Sequence, residues 1–170
     1  MTLSAFDPLR ALRTLDEHRV EFVVIGGIAG RLWGSPTVTN DIDVCYRDSP
    51  ENLERLASAL RSLRARLRGV DDDVPLQLDA AALANGDKFT FATDAGNLDV
   101  LGTPSGTNGF DDLVATAVEM DLVDLKVMVC DLEDLIRMKR AASRPKDLIE
   151  IEVLSALREE LDIRDPDSNP

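Results

Sequence analysis

Three aspartates are the residues whose type and spacing could do chemistry. Asp41 and Asp43 are two apart in TNDIDVCY (39–46), a stretch that otherwise resembles a buried strand. Residues two apart on a strand share a face, about 6.6 Å apart along the chain, and two such carboxylates repel by roughly 3 kcal/mol at an effective dielectric near 20. A third acid, Asp99, lies in the strand-like segment NLDVLG (97–102). A bound divalent cation would remove the repulsion, so the pattern predicts a metal site.

A pair of glycines, Gly26 and Gly27, ends the apolar run EFVVIGG just before a helix-like stretch. Glycine lets backbone N–H groups approach phosphate oxygens, and a helix start adds a favourable dipole. Three carboxylates suit two divalent cations about 3.5–4 Å apart, which can activate an attacking hydroxyl and stabilise a leaving pyrophosphate. Plainer interpretations stay open: an ordinary strand-to-helix turn for the glycines, an edge strand with a polar face for Asp41 and Asp43, and a solvent-facing hairpin residue for Asp99.

The elements that must position these residues follow from apolar periodicity, capping residues and turn residues. Ser49, with Pro50 after it, and Asp131 are predicted to begin helices, and Gly69 is predicted to end the first of these. The pattern predicts helices at 7–19, 28–34, 49–69, 111–119, 132–142 and 145–161, strands at 21–27, 39–46 and 125–130, and a hairpin of 89–93 with 97–102. Together these predict one α/β (α+β) domain over 1–162, with a helical C-terminal extension and a disordered tail at 163–170.

Composition narrows the classes of protein that are possible. The 170 residues are 44% hydrophobic and 30% charged, as in water-soluble globular proteins. No apolar run approaches the ~20 residues that span a bilayer, and the start of the chain lacks a signal peptide's apolar segment. We therefore expect a cytoplasmic protein without a membrane partner. Cys45 and Cys130 are interpreted as reduced, mostly buried thiols, and the lone His18 as a solvated helix residue rather than a catalytic base.

The net charge of −13 opposes binding to nucleic acid through phosphate neutralisation. Two segments nevertheless concentrate cations, at 55–68 and 137–146. Within the first, Arg61, Arg64 and Arg68 would share one side of the predicted helix, either as a solvated face or as an RNA-facing patch. The second could form ion pairs along its own helices or bind phosphate, and the sequence leaves both interpretations open.

Two segments resemble a known family. VVIGGIAGRLWGSPTVTNDIDV (23–44) resembles the glycine-pair and double-aspartate motif of the DNA polymerase β-like nucleotidyltransferase superfamily. CDLEDLIRMKRAASRPKDLIEIEVL (130–154) resembles the C-terminal motif of its AbiEii and MenT type toxin nucleotidyltransferases. The resemblance implies a small mixed sheet flanked by helices, with the metal site on its face. Relatives often have arginine in a P-R-x-T-x-D pattern before the double aspartate, and here that place is Thr37.

The resemblance also implies roles for ten residues. Asp41, Asp43 and Asp99 would bind Mg²⁺ (or Mn²⁺), with Asp99 also the general base. The triphosphate of an NTP would meet the glycine pair and Lys139, and further groups would complete the nucleotide or acceptor pocket. The implied residues are Gly26, Gly27, Thr39, Lys139, Arg144 and Lys146 for nucleotide binding, and Asp41, Asp43, Asp99, Lys139 and Asp147 for catalysis.

The implied reaction moves a nucleoside monophosphate from an NTP to an acceptor. Resemblance to the toxin families points to tRNA, at its 3′ end, with a cognate antitoxin as protein partner. The alternatives are a small-molecule acceptor, as in enzymes that adenylylate aminoglycosides, a protein acceptor, or a non-catalytic partner in a toxin–antitoxin pair.

Overall fold

One mixed sheet organises the chain in the computed structural model, which describes residues 5–71 and 77–164. Within these residues the strands are β1 (Phe22–Ile25), β2 (Asp41–Tyr46), β3 (Arg66–Leu67), β4 (Lys88–Thr93), β5 (Gly96–Leu101), β6 (Val118–Leu122) and β7 (Leu125–Val129). Their order across the sheet is β3-β4-β5-β2-β1-β7-β6. The helices are α1 (Pro8–Glu17), α2 (Gly26–Trp33), α3 (Pro50–Ser62), α4 (Ala80–Ala84), α5 (Phe110–Val114), α6 (Leu132–Ala142) and α7 (Pro145–Arg164). This confirms the predicted α/β class, with a mixed sheet, flanking helices and a helical C-terminal part.

Strand β2 lies in the middle of the sheet and carries the two aspartates. It pairs antiparallel with β1, where Asp43 lies opposite Ile25, and parallel with β5, where Asp43 lies beside Asp99. Residues paired across neighbouring strands project from the same face, so the register brings Asp43 and Asp99 together. The edge-strand interpretation of Asp41 and Asp43 is therefore wrong.

Several predicted element boundaries depend on capping residues, and these are confirmed. The hydroxyl of Ser49 accepts a hydrogen bond from the Asn52 backbone N–H at 3.3 Å, beginning α3. The carboxylate of Asp131 accepts one from the Asp134 N–H at 2.7 Å, beginning α6. The predicted hairpin forms as β4 and β5.

The predicted helix 49–69 ends early, at Ser62, because the backbone of Arg64 turns into the left-handed region (φ 50°). The chain then forms β3, which pairs with β4. The predicted shared face of Arg61, Arg64 and Arg68 is consequently wrong. Arg61 donates to the Leu78 carbonyl and Arg64 to the Asp94 carboxylate, while Arg68 points to the sheet aspartates.

The predicted helix 111–119 is also too long. It ends at Val114, and 118–122 form strand β6, which folds back on β7. Met120 and Leu122 are half-buried while Glu119 and Asp121 are exposed, which is the two-residue alternation of a strand. The elements β3, with two residues, and α4, with five, were not predicted, because segments this short show no recognisable apolar periodicity.

The core lies between the central strands and the helices packed on them, and both cysteines are buried there as free thiols. The indole N–H of Trp33 in α2 donates to the carbonyl of Cys130, just beyond β7, at 2.9 Å. Helix α7 continues to Arg164, so residues 163–164 of the predicted tail are helical, and 165–170 lie outside the described residues. No helix in 5–71 or 77–164 is long and apolar enough to cross a membrane.

Candidate active site

A cleft of about 660 Å³ opens above the carboxyl end of β1 and the start of β2. Its walls come from the sheet on one side and from α6, α7 and their connection on the other. The ten predicted site residues all line this cleft: Gly26, Gly27, Thr39, Asp41, Asp43, Asp99, Lys139, Arg144, Lys146 and Asp147. The structure thus brings together segments more than a hundred residues apart, while the roles of these residues stay predictions.

The carboxyl groups of Asp43 and Asp99 lie at paired positions of β2 and β5, and each affects the pKa of the other. Burial, followed by the charges of Asp99 and Asp41, raises the pKa of Asp43 to about 7, although Lys139 opposes the shift. Burial also raises the pKa of Asp99, against the lowering effect of Arg68. Burial and repulsion among the three carboxyl groups therefore favour the protonated form of Asp43.

Arg68 contacts two of the three aspartates and was not identified from the sequence as a site residue. Its Nη2 lies 2.7 Å from Oδ1 of Asp99, and its Nη1 lies 3.7 Å from Oδ1 of Asp41. One guanidinium can reach both carboxylates, so they share one site. No sequence signal pointed to this contact, because it depends on β3, which is only two residues long.

The glycine pair begins α2 and packs directly under the acidic strand. A Cβ on Gly26, whose φ is +67°, would lie 2.3 Å from Oδ2 of Asp43, and one on Gly27 would lie 2.7 Å from Oγ1 of Thr39. The N-cap residue Ile25 supplies no side-chain acceptor to the first turn of the helix. The first N–H groups of α2 are therefore left for solvent or an anionic ligand.

Opposite the sheet, a buried acid organises the cations. Asp147 is 1% exposed, with its carboxylate 2.9 Å from Nε of Arg144 and 3.6 Å from Nζ of Lys139. Burial alone would raise the pKa of Asp147, but hydrogen bonds from Arg144 and the nearby charges outweigh it and lower that pKa. The alternative of ion pairs along helices holds for Arg137, which pairs with Asp134. It also holds for Arg144, which pairs with Asp147 three residues along the chain, although Arg144 and Lys139 both line the cleft.

Thr37, at the position where relatives carry arginine, has a hydroxyl that donates to Oε2 of Glu150 at 2.5 Å. The Ser35 hydroxyl donates to Oε1 of the same carboxylate at 3.0 Å. Glu150 is 7% exposed and lines the cleft. These neutral donors satisfy the buried acid and tie α7 to the segment after α2. Glu150 is a cleft residue that sequence reasoning missed, because only tertiary contact reveals its partners.

The donor set fits a hard divalent cation. Asp41, Asp43 and Asp99 offer only carboxylate oxygens, the ligands that Mg²⁺ and Mn²⁺ take in proteins. Among the residues of the described segments, no group of three or more His, Cys, Asp or Glu side chains is already arranged to hold a metal ion. The guanidinium of Arg68 contacts Asp41 and Asp99, so these carboxylates would have to rearrange in order to hold a metal.

The fold is that of the nucleotidyltransferases. Three solved structures share it over most of their length: the lincosamide antibiotic adenylyltransferase LnuA with lincomycin bound (14% identity, 88% of this chain and 94% of that one, TM-score 0.59); the antibiotic-resistance factor ANT(2″)-Ia in solution (16%, 92% and 89%, 0.53); and ANT(2″)-Ia in complex with adenylyl-2″-tobramycin (16%, 92% and 95%, 0.53). No protein-family model and no curated protein sequence matches the chain. The likeness establishes the fold, and the AbiEii/MenT subtype stays a prediction.

Proposed function

We propose that this protein is a metal-dependent nucleotidyltransferase that transfers a nucleoside monophosphate from an NTP to an acceptor and releases pyrophosphate. One observation carries the proposal. Asp43 and Asp99, in register on neighbouring strands, face the same cleft as the backbone of Gly26 and the cations around Asp147. That arrangement has an acidic floor, an amide-rich helix start and a basic wall, which are the three surfaces a metal–triphosphate needs.

The triphosphate is bound from two sides, by the glycine pair and by the basic wall of Lys139, Arg144 and Lys146. The N–H groups at the start of α2 donate to phosphate oxygens, with the hydroxyl of Thr39 beside them. Lys139 and Arg144 approach from the other wall, held in place by Asp147, and Lys146 adds a further charge. Asp147 acts by positioning these cations rather than by touching the reacting atoms.

Asp41, Asp43 and Asp99 would hold Mg²⁺ (or Mn²⁺), which when bound supplies charge neutralisation and activation of the acceptor hydroxyl. Asp99 also accepts the proton from that hydroxyl as general base. Asp43, whose charge is opposed by those of both Asp41 and Asp99, holds the centre of the carboxylate group.

For the acceptor, the resemblance to toxin nucleotidyltransferases supports tRNA at its 3′ end, with an antitoxin protein restraining the enzyme in a cytoplasmic setting. Phosphate contacts would come from Lys139, Arg144 and Lys146, and from Lys88 at the cleft edge. The excess of acid in the chain requires those contacts to be concentrated at the cleft.

A small-molecule acceptor is the second candidate, and two observations favour it. Arg61, Arg64 and Arg68 contact separate partners rather than forming one basic face. Two of the fold neighbours bind, by name, an antibiotic or an adenylylated antibiotic, and they match this chain over nearly their whole length. An acceptor hydroxyl on a compact organic molecule fits a 660 Å³ cleft beside a nucleotide. A protein acceptor or a non-catalytic role in a toxin–antitoxin pair would require a further surface.

Incubation with each radiolabelled NTP, Mg²⁺ and an acceptor pool of tRNA, aminoglycosides or lincosamides tests the proposal. We expect label transfer from at least one NTP, with pyrophosphate released in equal amount. Asp43→Asn should abolish both, whereas Asp124→Asn, at an exposed carboxylate paired with Arg13, should change neither. Absence of pyrophosphate with every NTP and acceptor, together with unchanged metal binding in Asp43→Asn, would overturn the proposal.

A further inference from the structure

We propose that Arg68 is an internal counter-ion that occupies the metal site of the resting enzyme, so that a divalent cation binds only by displacing its guanidinium. This inference rests on the proposed function, since it assigns Asp41, Asp43 and Asp99 as metal ligands. It assigns a role to Arg68, which lies outside the recognisable motifs. It also implies that displacing Arg68 weakens metal binding.

The position of Arg68 is set by the sheet and not by chance surface pairing. Its backbone N–H donates to the carbonyl of Thr90 at 3.0 Å, which continues the pairing of β3 with β4. Thr90 lies opposite Asp99 in the β4–β5 register. The Arg68 backbone is therefore anchored two strands away from β5 and three away from β2, and its side chain extends back across the sheet to the carboxylates.

The contacts made by Arg68 are those that a metal would need. The side chain of Asp99 is 14% exposed, and its Oδ1 accepts a hydrogen bond from Nη2 of Arg68 at 2.7 Å. Oδ1 of Asp41 lies 3.7 Å from Nη1 of the same guanidinium. A guanidinium does not lose its proton in a protein, so it cannot leave the site by becoming neutral. It must move, and its 29% exposure gives it a path to solvent.

Displacement has a measurable consequence. When a cation enters this site, the carboxylates attract it, but the attraction between the carboxylates and Arg68 is lost. The wild-type protein should therefore bind a divalent cation more weakly than the same carboxylates would without Arg68. Removing the charge of Arg68 should tighten metal binding and, because three acids are then left together, lower the stability of the metal-free fold.

Mn²⁺ binding can be measured without nucleotide by the paramagnetic resonance signal of the free ion, at constant ionic strength. We expect Arg68→Gln to lower the Kd for Mn²⁺ by roughly tenfold. The matched control is Arg64→Gln, which removes the same charge from the same segment but at an arginine that pairs with Asp94 outside the cleft. It should change the Kd by less than about twofold, because exposed charges act weakly through solvent.

Arg68→Met keeps the aliphatic stem and provides a second neutral variant if the glutamine variant does not fold. Unchanged or weaker Mn²⁺ binding in the folded neutral variant, with Asp43→Asn still losing it, would overturn the role of Arg68 and leave the proposed function standing. Failure of wild type and neutral variant alike to bind Mn²⁺, with or without NTP, would overturn both. A tighter Kd in the neutral variant but not in Arg64→Gln supports the displacement.

Discussion

At the scale of single residues, Asp43 is where the charges of the cleft converge. Its neighbours Asp41 and Asp99 repel it, and burial adds to the penalty. We predict that Asp43→Asn raises the midpoint of thermal unfolding of the metal-free protein slightly, because the variant removes repulsion at nearly constant shape. It should also lower transfer by on the order of a hundredfold or more.

The same variant should lose the thermal shift caused by ligand. In wild type, metal–NTP at a hundredfold excess over its Kd should stabilise by about 2.7 kcal/mol, and each ~1 kcal/mol moves the midpoint by about 2–4 °C at this chain length. Differential scanning fluorimetry with metal alone and with metal–NTP measures both. An equal shift in Asp43→Asn and wild type would mean that this carboxylate does not hold the metal.

Gly26 offers a second residue-scale prediction. Gly26→Ala places a Cβ 2.3 Å from Oδ2 of Asp43 on a backbone with φ +67°. Gly69→Ala is the matched control, since Gly69 has φ +78° but nothing within 4 Å of an added Cβ. Both variants should lose about 1–2 kcal/mol from the left-handed backbone. Only Gly26→Ala should lose more than that in urea unfolding and also lose transfer activity. Equal losses in the two variants would contradict the close packing of Gly26 against Asp43.

The sequence predicted the site residues that belong to compact motifs and missed those that depend on tertiary contact. Gly26, Asp41 and Asp43 could be found because strand alternation and glycine chemistry are local. Arg68 and Glu150 could not, because the partners of Arg68 lie two and three strands away across the sheet and those of Glu150 lie over a hundred residues earlier.

At the scale of elements, the junction of α6 and α7 depends on one buried carboxylate. The pKa of Asp147 in the folded protein is lowered from an ordinary value of 3.8. Its ion pairs therefore stabilise the fold at pH values above about 4 and lose that effect as the pH falls through the folded-state pKa. We predict that Asp147→Asn lowers the free energy of unfolding by about 1–3 kcal/mol at pH 7, with the difference from wild type shrinking toward pH 3.

Urea unfolding of both proteins at pH 7 and pH 3 measures this difference. Glu160→Gln is the control on the same helix, because Glu160 is 57% exposed and pairs with Arg164 at the surface. It should cost less than about 1 kcal/mol at either pH. A pH-independent cost in Asp147→Asn would mean that packing, rather than charge, stabilises the junction.

Element boundaries were predictable where a side chain caps a helix and unpredictable where the backbone alone decides. Ser49 and Asp131 mark their helix starts in the sequence because their oxygens accept first-turn N–H groups. The end of α3 depends on Arg64 adopting a left-handed conformation. Arginine has no preference for that conformation, so the sequence gives no sign of the helix end. The apolar periodicity therefore predicted a helix to residue 69, although α3 ends at Ser62.

At the scale of the whole molecule, the charge of −13 makes salt dependence a direct test of the acceptor class. If tRNA is the acceptor, several phosphate contacts must overcome that charge, and the apparent affinity should fall by orders of magnitude between about 50 and 200 mM salt. If the acceptor is a small molecule of low charge, the apparent affinity should change only a few-fold over that range. Titration of acceptor at fixed NTP in a salt series distinguishes the two, and a flat profile with tRNA would contradict phosphate-driven binding.

The order of the chain through the sheet also bears on how the protein is made. Residues up to Leu101 supply the acidic floor, but Lys139, Arg144 and Asp147 follow only after β7 has paired with β1. On a ribosome, which delivers a chain from its N-terminus, the three aspartates emerge well before the basic residues of the opposite wall. A nascent chain that has not yet released α6 and α7 lacks half of its cleft. Any transfer by the proposed enzyme must therefore wait until both helices are outside the exit tunnel.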